Sequence, residues 1–188
     1  MNEPTLFDFS GFPVLKTERL ILRQARLADA PDVLVFRGDW EVQKYNGPVF
    51  KEIAEAQALI EELNAEFTEQ EGICWAVVLK QNDRVVGLFG FHHWSHYHRR
   101  AEVGYDLARA YWGQGLASEA LQAMIPFGFA QMNLHRIYAG TIADNHESVR
   151  LLERLGFQRE GTKRQSSWED DGTFHDSAMY GLLSNEYP

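Results

Sequence analysis

The chain has 188 residues, 45% of them hydrophobic, with 27 acidic against 18 basic side chains and a formal net charge of −9. That length and apolar content suit one domain around a buried core, taken here as residues 1–188 with the core at about 17–183. The acidic balance argues against a nucleic-acid partner, and the absence of a long apolar run or a basic-then-apolar N-terminus predicts no membrane insertion and a cytoplasmic location.

In chain order, RLILRQ (19–24) reads as a first strand, residues 29–37 as a short helix and residues 40–48 as a turn region. Residues 51–71 carry seven glutamates, while Ile53, Ala56, Ile60, Leu63 and Phe67 recur at helical spacing. This is an amphipathic helix with an acidic face, read as a solvated surface that would also suit a cationic partner. Two apolar strands follow, ICWAVVL (73–79) and VVGLFGF (85–91), joined by the turn QNDR, which is a hairpin signal. The single cysteine, Cys74, lies inside the first of them, so no internal disulfide can form and the thiol reads as a small buried hydrophobe.

Next comes HHWSHYHRR (92–100), with four of the seven histidines, read as the connection to a third strand. A tetrahedral zinc site needs three or four converging ligands. As strand neighbours, His92 and His93 would point to opposite faces, so a polar loop beside a ligand cleft is the better account and no metal is expected. The third strand, AEVGYDL (101–107), alternates: Ala101, Val103, Tyr105 and Leu107 share one face, Glu102, Gly104 and Asp106 the other. Beyond it lie a helix over 116–131 containing Pro126, which should kink it or end its regular bonding, then a strand over 136–142. A helix over 145–155, closed by Gly156, and two extended pieces near 157–168 and 174–183 complete the chain. The order predicts an α/β (α+β) fold with a mixed, largely antiparallel sheet flanked by helices.

The most specific stretch is AYWGQGLASEAL (110–121), which leaves a strand, passes two glycines and enters a helix. Gly113 and Gly115 allow a tight turn and close ligand approach, and the helix start supplies unpaired N–H groups and the positive end of its dipole. The main-chain amides of Gly113, Gln114, Gly115, Leu116, Ala117 and Ser118 thus form a candidate phosphate site, although a plain glycine turn with Ser118 as helix cap fits the same letters. The spacing is neither a dinucleotide fingerprint nor a nucleoside-triphosphate loop.

AEVGYDL, YWGQGLASEAL and RIYAGTIADNHESVRLLERLGF, in this order, resemble the GNAT superfamily of N-acetyltransferases. TERLILR (17–23), Trp112 and Asn145-x-x-Ser148 resemble its RimJ/RimL-type branch, which acetylates protein N-termini. The resemblance implies that acetyl-CoA is the cosubstrate. Its diphosphate would sit on the glycine turn, and its pantetheine arm would lie beside the backbone around Tyr105 and Leu107, where the sheet splays. It further implies Ser148 as proton donor to the leaving thiolate and Asn145 as a pantetheine contact; Ser148 bonding to nearby backbone is the alternative. Many superfamily members carry a tyrosine where this chain has Leu152, which throws the acid role onto Ser148 or water. Glu102 is the first candidate for general base, since a buried strand carboxylate would have a raised pKa, with an exposed strand position as the competing account. His92, His93 and Asp176 stand second. The implied reaction is direct acetyl transfer in a ternary complex to a primary amine, most naturally a protein or peptide N-terminus. The alternatives are a polyamine or antibiotic amine, or a non-catalytic acyl-CoA-binding module, and the chain would act as monomer or homodimer.

Overall fold

The computed structural model describes residues 8–169 and 172–187. Its elements are β1 (Leu15–Lys16), β2 (Leu20–Gln24), α1 (Ala30–Arg37), α2 (Trp40–Gln43), α3 (Ile53–Thr68), β3 (Ile73–Leu79), β4 (Val85–Ser95) and β5 (Arg100–Leu107). They continue with α4 (Leu116–Ala130), β6 (Arg136–Ile142), α5 (His146–Arg154), β7 (Gln158–Trp168) and β8 (Phe174–Leu183). All eight strands form one sheet in the order β1-β2-β3-β4-β5-β6-β8-β7. Only the β5–β6 pair is parallel, as a connection through α4 requires.

Both faces of the central strands are covered, which is why β3 and β4 read as unbroken apolar runs. Ile73, Trp75 and Val77 pack on the α4/α5 side, while Cys74, Ala76 and Val78 pack against α1 and α3. Burial pushes the Cys74 thiol well above its ordinary range, leaving it an inert hydrophobe. In α3 the buried stripe is Ala56, Ile60, Leu63 and Phe67, and a capping box between Glu52 and Glu55 starts the helix; Ile53 remains exposed. Pro126 does not end α4, which runs on to Ala130. Among the described residues no helix is long and apolar enough to cross a membrane.

The histidine segment differs from the expected loop. β4 extends through His92 and His93 to Ser95, and only residues 96–99 turn. Nor do His92 and His93 face apart. The β4–β5 register slips between His92 and Ser95, and His93 adopts φ 50° at this bulge. An extra residue breaks strand alternation, so both imidazoles reach carboxylates. His92 Nδ1 lies 3.1 Å from Glu66 Oε2 and His93 Nε2 lies 4.0 Å from Glu102 Oε2.

The feature that positions the site is a gap. β5 and β6 pair only at Arg100–Arg136, Ala101–Ile137 and Glu102–Tyr138. Beyond Glu102 the strands part, although β5 continues to Leu107 and β6 to Ile142.

Candidate active site

The glycine turn lies at the mouth of this gap. Gly113 and Gly115 have φ 72° and 77°, left-handed conformations that side chains resist, and Gly115 is the N-cap of α4. No side chain caps that helix, so Ser118 does not act as a cap. The first amide to find a helical carbonyl is that of Glu119, to Gly115 O at 3.0 Å. Among the described residues, the amides of Gly113, Gln114, Gly115, Leu116, Ala117 and Ser118 have no hydrogen-bond acceptor. Six free donors at the positive end of a 15-residue helix make an anion site.

The turn is clamped from behind by the segment 17–19. Glu119 accepts from Thr17 Oγ1 (2.5 Å), the Arg19 amide (2.8 Å) and Arg19 Nε (2.6 Å). Arg19 Nη1 donates to Gln114 O at 3.0 Å. Because a trans peptide points its carbonyl and its N–H in opposite directions, this bond turns the Gly115 N–H away from Arg19. Burial pushes the Glu119 carboxyl up, but the bonds from Thr17 and Arg19 outweigh it and hold the group below its ordinary range. Trp112 Nε1 donates to Leu107 O at 2.7 Å, fixing the turn to the end of β5.

That bond takes one of the two acceptor positions of the Leu107 carbonyl, leaving the other for the expected cofactor contact. The rest of the open edge is available. The Ala108 amide bonds to Val86 O across β4, so by strand alternation the Val103 carbonyl, both main-chain groups of Tyr105 and the Leu107 amide face the gap, the Val103 amide closing the last β5–β6 pair. The gap widens into a cavity of about 500 Å³ walled by β5, the glycine turn, α5 and residues 41–46.

On α5, Leu152 and Leu155 are buried and Leu151 lines the cavity. Asn145 caps the helix, its Oδ1 accepting from the Ser148 amide at 3.2 Å. Among the described residues Ser148 Oγ has no backbone partner. It shares a 2.7 Å hydrogen bond with Tyr105 Oη, a pairing that sequence reasoning missed because 43 residues separate the partners. Burial pushes the Tyr105 phenol up to about 12, against a smaller pull from Ser148.

Glu102 stands at the last β5–β6 pair, the apex of the gap. Its side chain is 32% exposed, half-buried instead of fully buried as expected, although β5 is an interior strand. Asp176 is committed to the β7–β8 hairpin, where it accepts from the Gln165 amide at 2.8 Å. His96 Nε2 lies 2.9 Å from Gln70 O and its ring stacks on Trp94. Among the described residues no three His, Cys, Asp or Glu side chains converge as metal ligands.

The wall over residues 41–46 is anchored by a buried ion pair. Asp106 is 4% exposed, 2.5 Å from Arg37 Nη2, and accepts from Asn46 Nδ2 at 2.6 Å. Burial raises the Asp106 carboxyl, and Arg37 and Asn46 offset that only in part.

A splayed sheet beside a turn of free amides defines a class of protein that takes an anion on the turn and an extended chain along the strand edge. The chain belongs to the acetyltransferase (GNAT) domain family, whose model matches residues 19–158. It is 36% identical over 173 residues to the uncharacterized N-acetyltransferase YoaA of Bacillus subtilis, covering 92% of this chain and 97% of that one. It is 28% identical to the ribosomal-protein-serine acetyltransferase of Escherichia coli, covering 77% and 79%. The fold matches the structure of RimL, a ribosomal L7/L12 alpha-N-protein acetyltransferase in complex with coenzyme A, with a TM-score of 0.83 at 21% identity, covering 91% and 98%. The chain is therefore an N-acetyltransferase of the GNAT family, with the mixed, largely antiparallel sheet expected of it.

Proposed function

We propose that the protein transfers an acetyl group from acetyl-CoA to the N-terminal amine of a protein or peptide, by direct attack in a ternary complex. The observation that carries this is the set of six free amides from Gly113 to Ser118, opening onto a strand edge left unpaired by the splay. A diphosphate takes the amides. The two amide groups of pantetheine pair with the main chain at Val103 and Tyr105, and the thioester then reaches the apex beside Glu102 and Ser148.

Acetyl transfer needs a neutral amine, and an α-amino group with a pKa of about 7.7–8.0 is far easier to deprotonate than lysine at about 10.4. Glu102, through water, is a sufficient base for the former. The likeness to a ribosomal-protein acetyltransferase supports the same acceptor class. Calorimetry with coenzyme A, followed by thiol release from acetyl-CoA across a panel of peptides, polyamines and aminoglycosides, tests the proposal. Turnover of peptide N-termini is expected; preference for a polyamine would move the acceptor to a small amine, and tight binding without turnover on any acceptor would favour a binding module.

A further inference from the structure

Resting on the acetyl-CoA reading above, we infer that Tyr105 is a positioning residue that acts through Ser148, the two hydroxyls forming one hydrogen-bonding unit for the departing sulfur. Two separate elements hold the pair. Tyr105 is fixed on β5 by stacking on its cross-strand partner Phe89, with ring centroids 5.5 Å apart and planes at 24°. Ser148 is fixed in the first turn of α5 by the Asn145 cap. The 2.7 Å bond joins the two elements, and both residues line the cavity.

Proton counting gives the pair its function. Two hydroxyls carry two protons, and their mutual bond uses one. Among the described residues neither oxygen has another partner, so one O–H remains to be donated into the cavity. With Tyr105 donating to Ser148, the serine hydroxyl is both polarised and aimed. Its rotor is then set by the phenol instead of by nearby backbone.

Magnitudes decide what is donated. A phenol at about 12 handing its proton to a thiolate near 8.5 is unfavourable by roughly three-thousandfold, and an aliphatic hydroxyl is a still weaker acid. The pair therefore stabilises the charge growing on sulfur by a hydrogen bond without surrendering a proton. In the transfer the amine nitrogen bonds to the acetyl carbon and the carbon–sulfur bond breaks. The thiolate leaves on the Ser148 hydroxyl, and the proton lost by the amine through Glu102 and water returns to the sulfur through solvent. This alters the role expected for Ser148 from proton donor to hydrogen-bond donor, and it assigns Tyr105 a part beyond lining the cofactor path.

The test needs no acceptor. Coenzyme A bound to the protein is titrated by its ultraviolet thiolate absorbance in wild type, Tyr105→Phe, Ser148→Ala and the double variant. Phenylalanine keeps the ring on Phe89, and coenzyme A affinity measured alongside confirms an intact cavity. We expect each single variant to raise the bound thiol pKa by about one unit, a tenfold loss of thiolate stabilisation, and the double variant to add nothing to Ser148→Ala. A bound thiol that titrates in Tyr105→Phe as in wild type overturns the inference, and so do losses that multiply in the double variant. Failure of the wild-type chain to take up coenzyme A removes the acetyl-CoA reading itself, whereas uptake with an unmoved thiol removes only the role of the pair.

Discussion

At the scale of single residues, position decides more than identity. Glu102 has an ordinary half-buried side chain, yet it is the last residue of β5 to pair with β6. As the base proposed for the transfer, its replacement by glutamine keeps the shape and removes the proton acceptor, so on that proposal kcat/KM should fall by about a hundredfold near neutral pH. The deficit should shrink as pH rises past the pKa of the acceptor amine, because hydroxide and solvent then do the same work. A pH profile of both forms checks this, and a constant ratio across pH would remove Glu102 as base. Gly115 makes a second residue-scale case. An alanine there meets only the far end of Arg19, at 3.6 Å, so its cost is the left-handed backbone at φ 77°. A loss of about 1 kcal/mol in stability and a weaker grip on coenzyme A are expected from Gly115→Ala. Thermal unfolding and calorimetry measure them separately.

At the scale of elements, the turn before α4 is held in place by the connection between β1 and β2, about 100 residues earlier in the chain. Two effects of Glu119 compete at the anion site. Its charge in the first turn stabilises the helix but repels a phosphate, whereas its bonds to Thr17 and Arg19 hold the turn that presents the amides. Both partners of the carboxylate are fixed, and Arg19 in turn holds Gln114 O. We therefore expect positioning to win: Glu119→Ala should weaken coenzyme A binding several-fold, although it removes a negative charge from an anion site. Tighter binding in calorimetry would show repulsion to be the larger effect. The end of α5 is built more locally. Gly156 at φ 90° lets its amide reach Glu153 O (3.1 Å) and that of Phe157 reach Leu152 O (3.0 Å), the paired bonds of a Schellman closure.

At the scale of the molecule, the two sides of the sheet meet the cavity through unlike materials. The α4/α5 side is apolar packing, whereas the wall over residues 41–46 hangs on Arg37 and Asp106. Removing the guanidinium leaves a buried carboxylate without its cation, so Arg37→Ala should cost about 3–5 kcal/mol at neutral pH. The sign with pH follows from the raised Asp106 carboxyl. A folded-state pKa above the unfolded one means that folding favours the protonated acid, and stability falls as pH rises through that interval. The penalty in Arg37→Ala should accordingly shrink on acidification. Unfolding midpoints between neutral pH and the carboxylate range measure it, and a penalty that grows on acidification would contradict the pair.

Sequence by itself determined the elements and located the glycine turn whose amides the structure leaves free, because these depend on interactions within a few residues. The apolar runs ICWAVVL and VVGLFGF joined by the turn QNDR mark paired strands, the two glycines mark a tight turn, and Asn145 and Gly156 bound α5. The likeness to GNAT acetyltransferases lay in the same local stretches. What the tertiary structure alone decided are contacts set by register and splay: Arg19 with Glu119 across 100 residues, Tyr105 with Ser148 across 43, and the end of β5–β6 pairing at Glu102. The bulge at His93 belongs with them. Strand alternation predicts a side chain's face only while the ladder is regular, and one inserted residue turned an expected loop histidine toward the carboxylate at the apex.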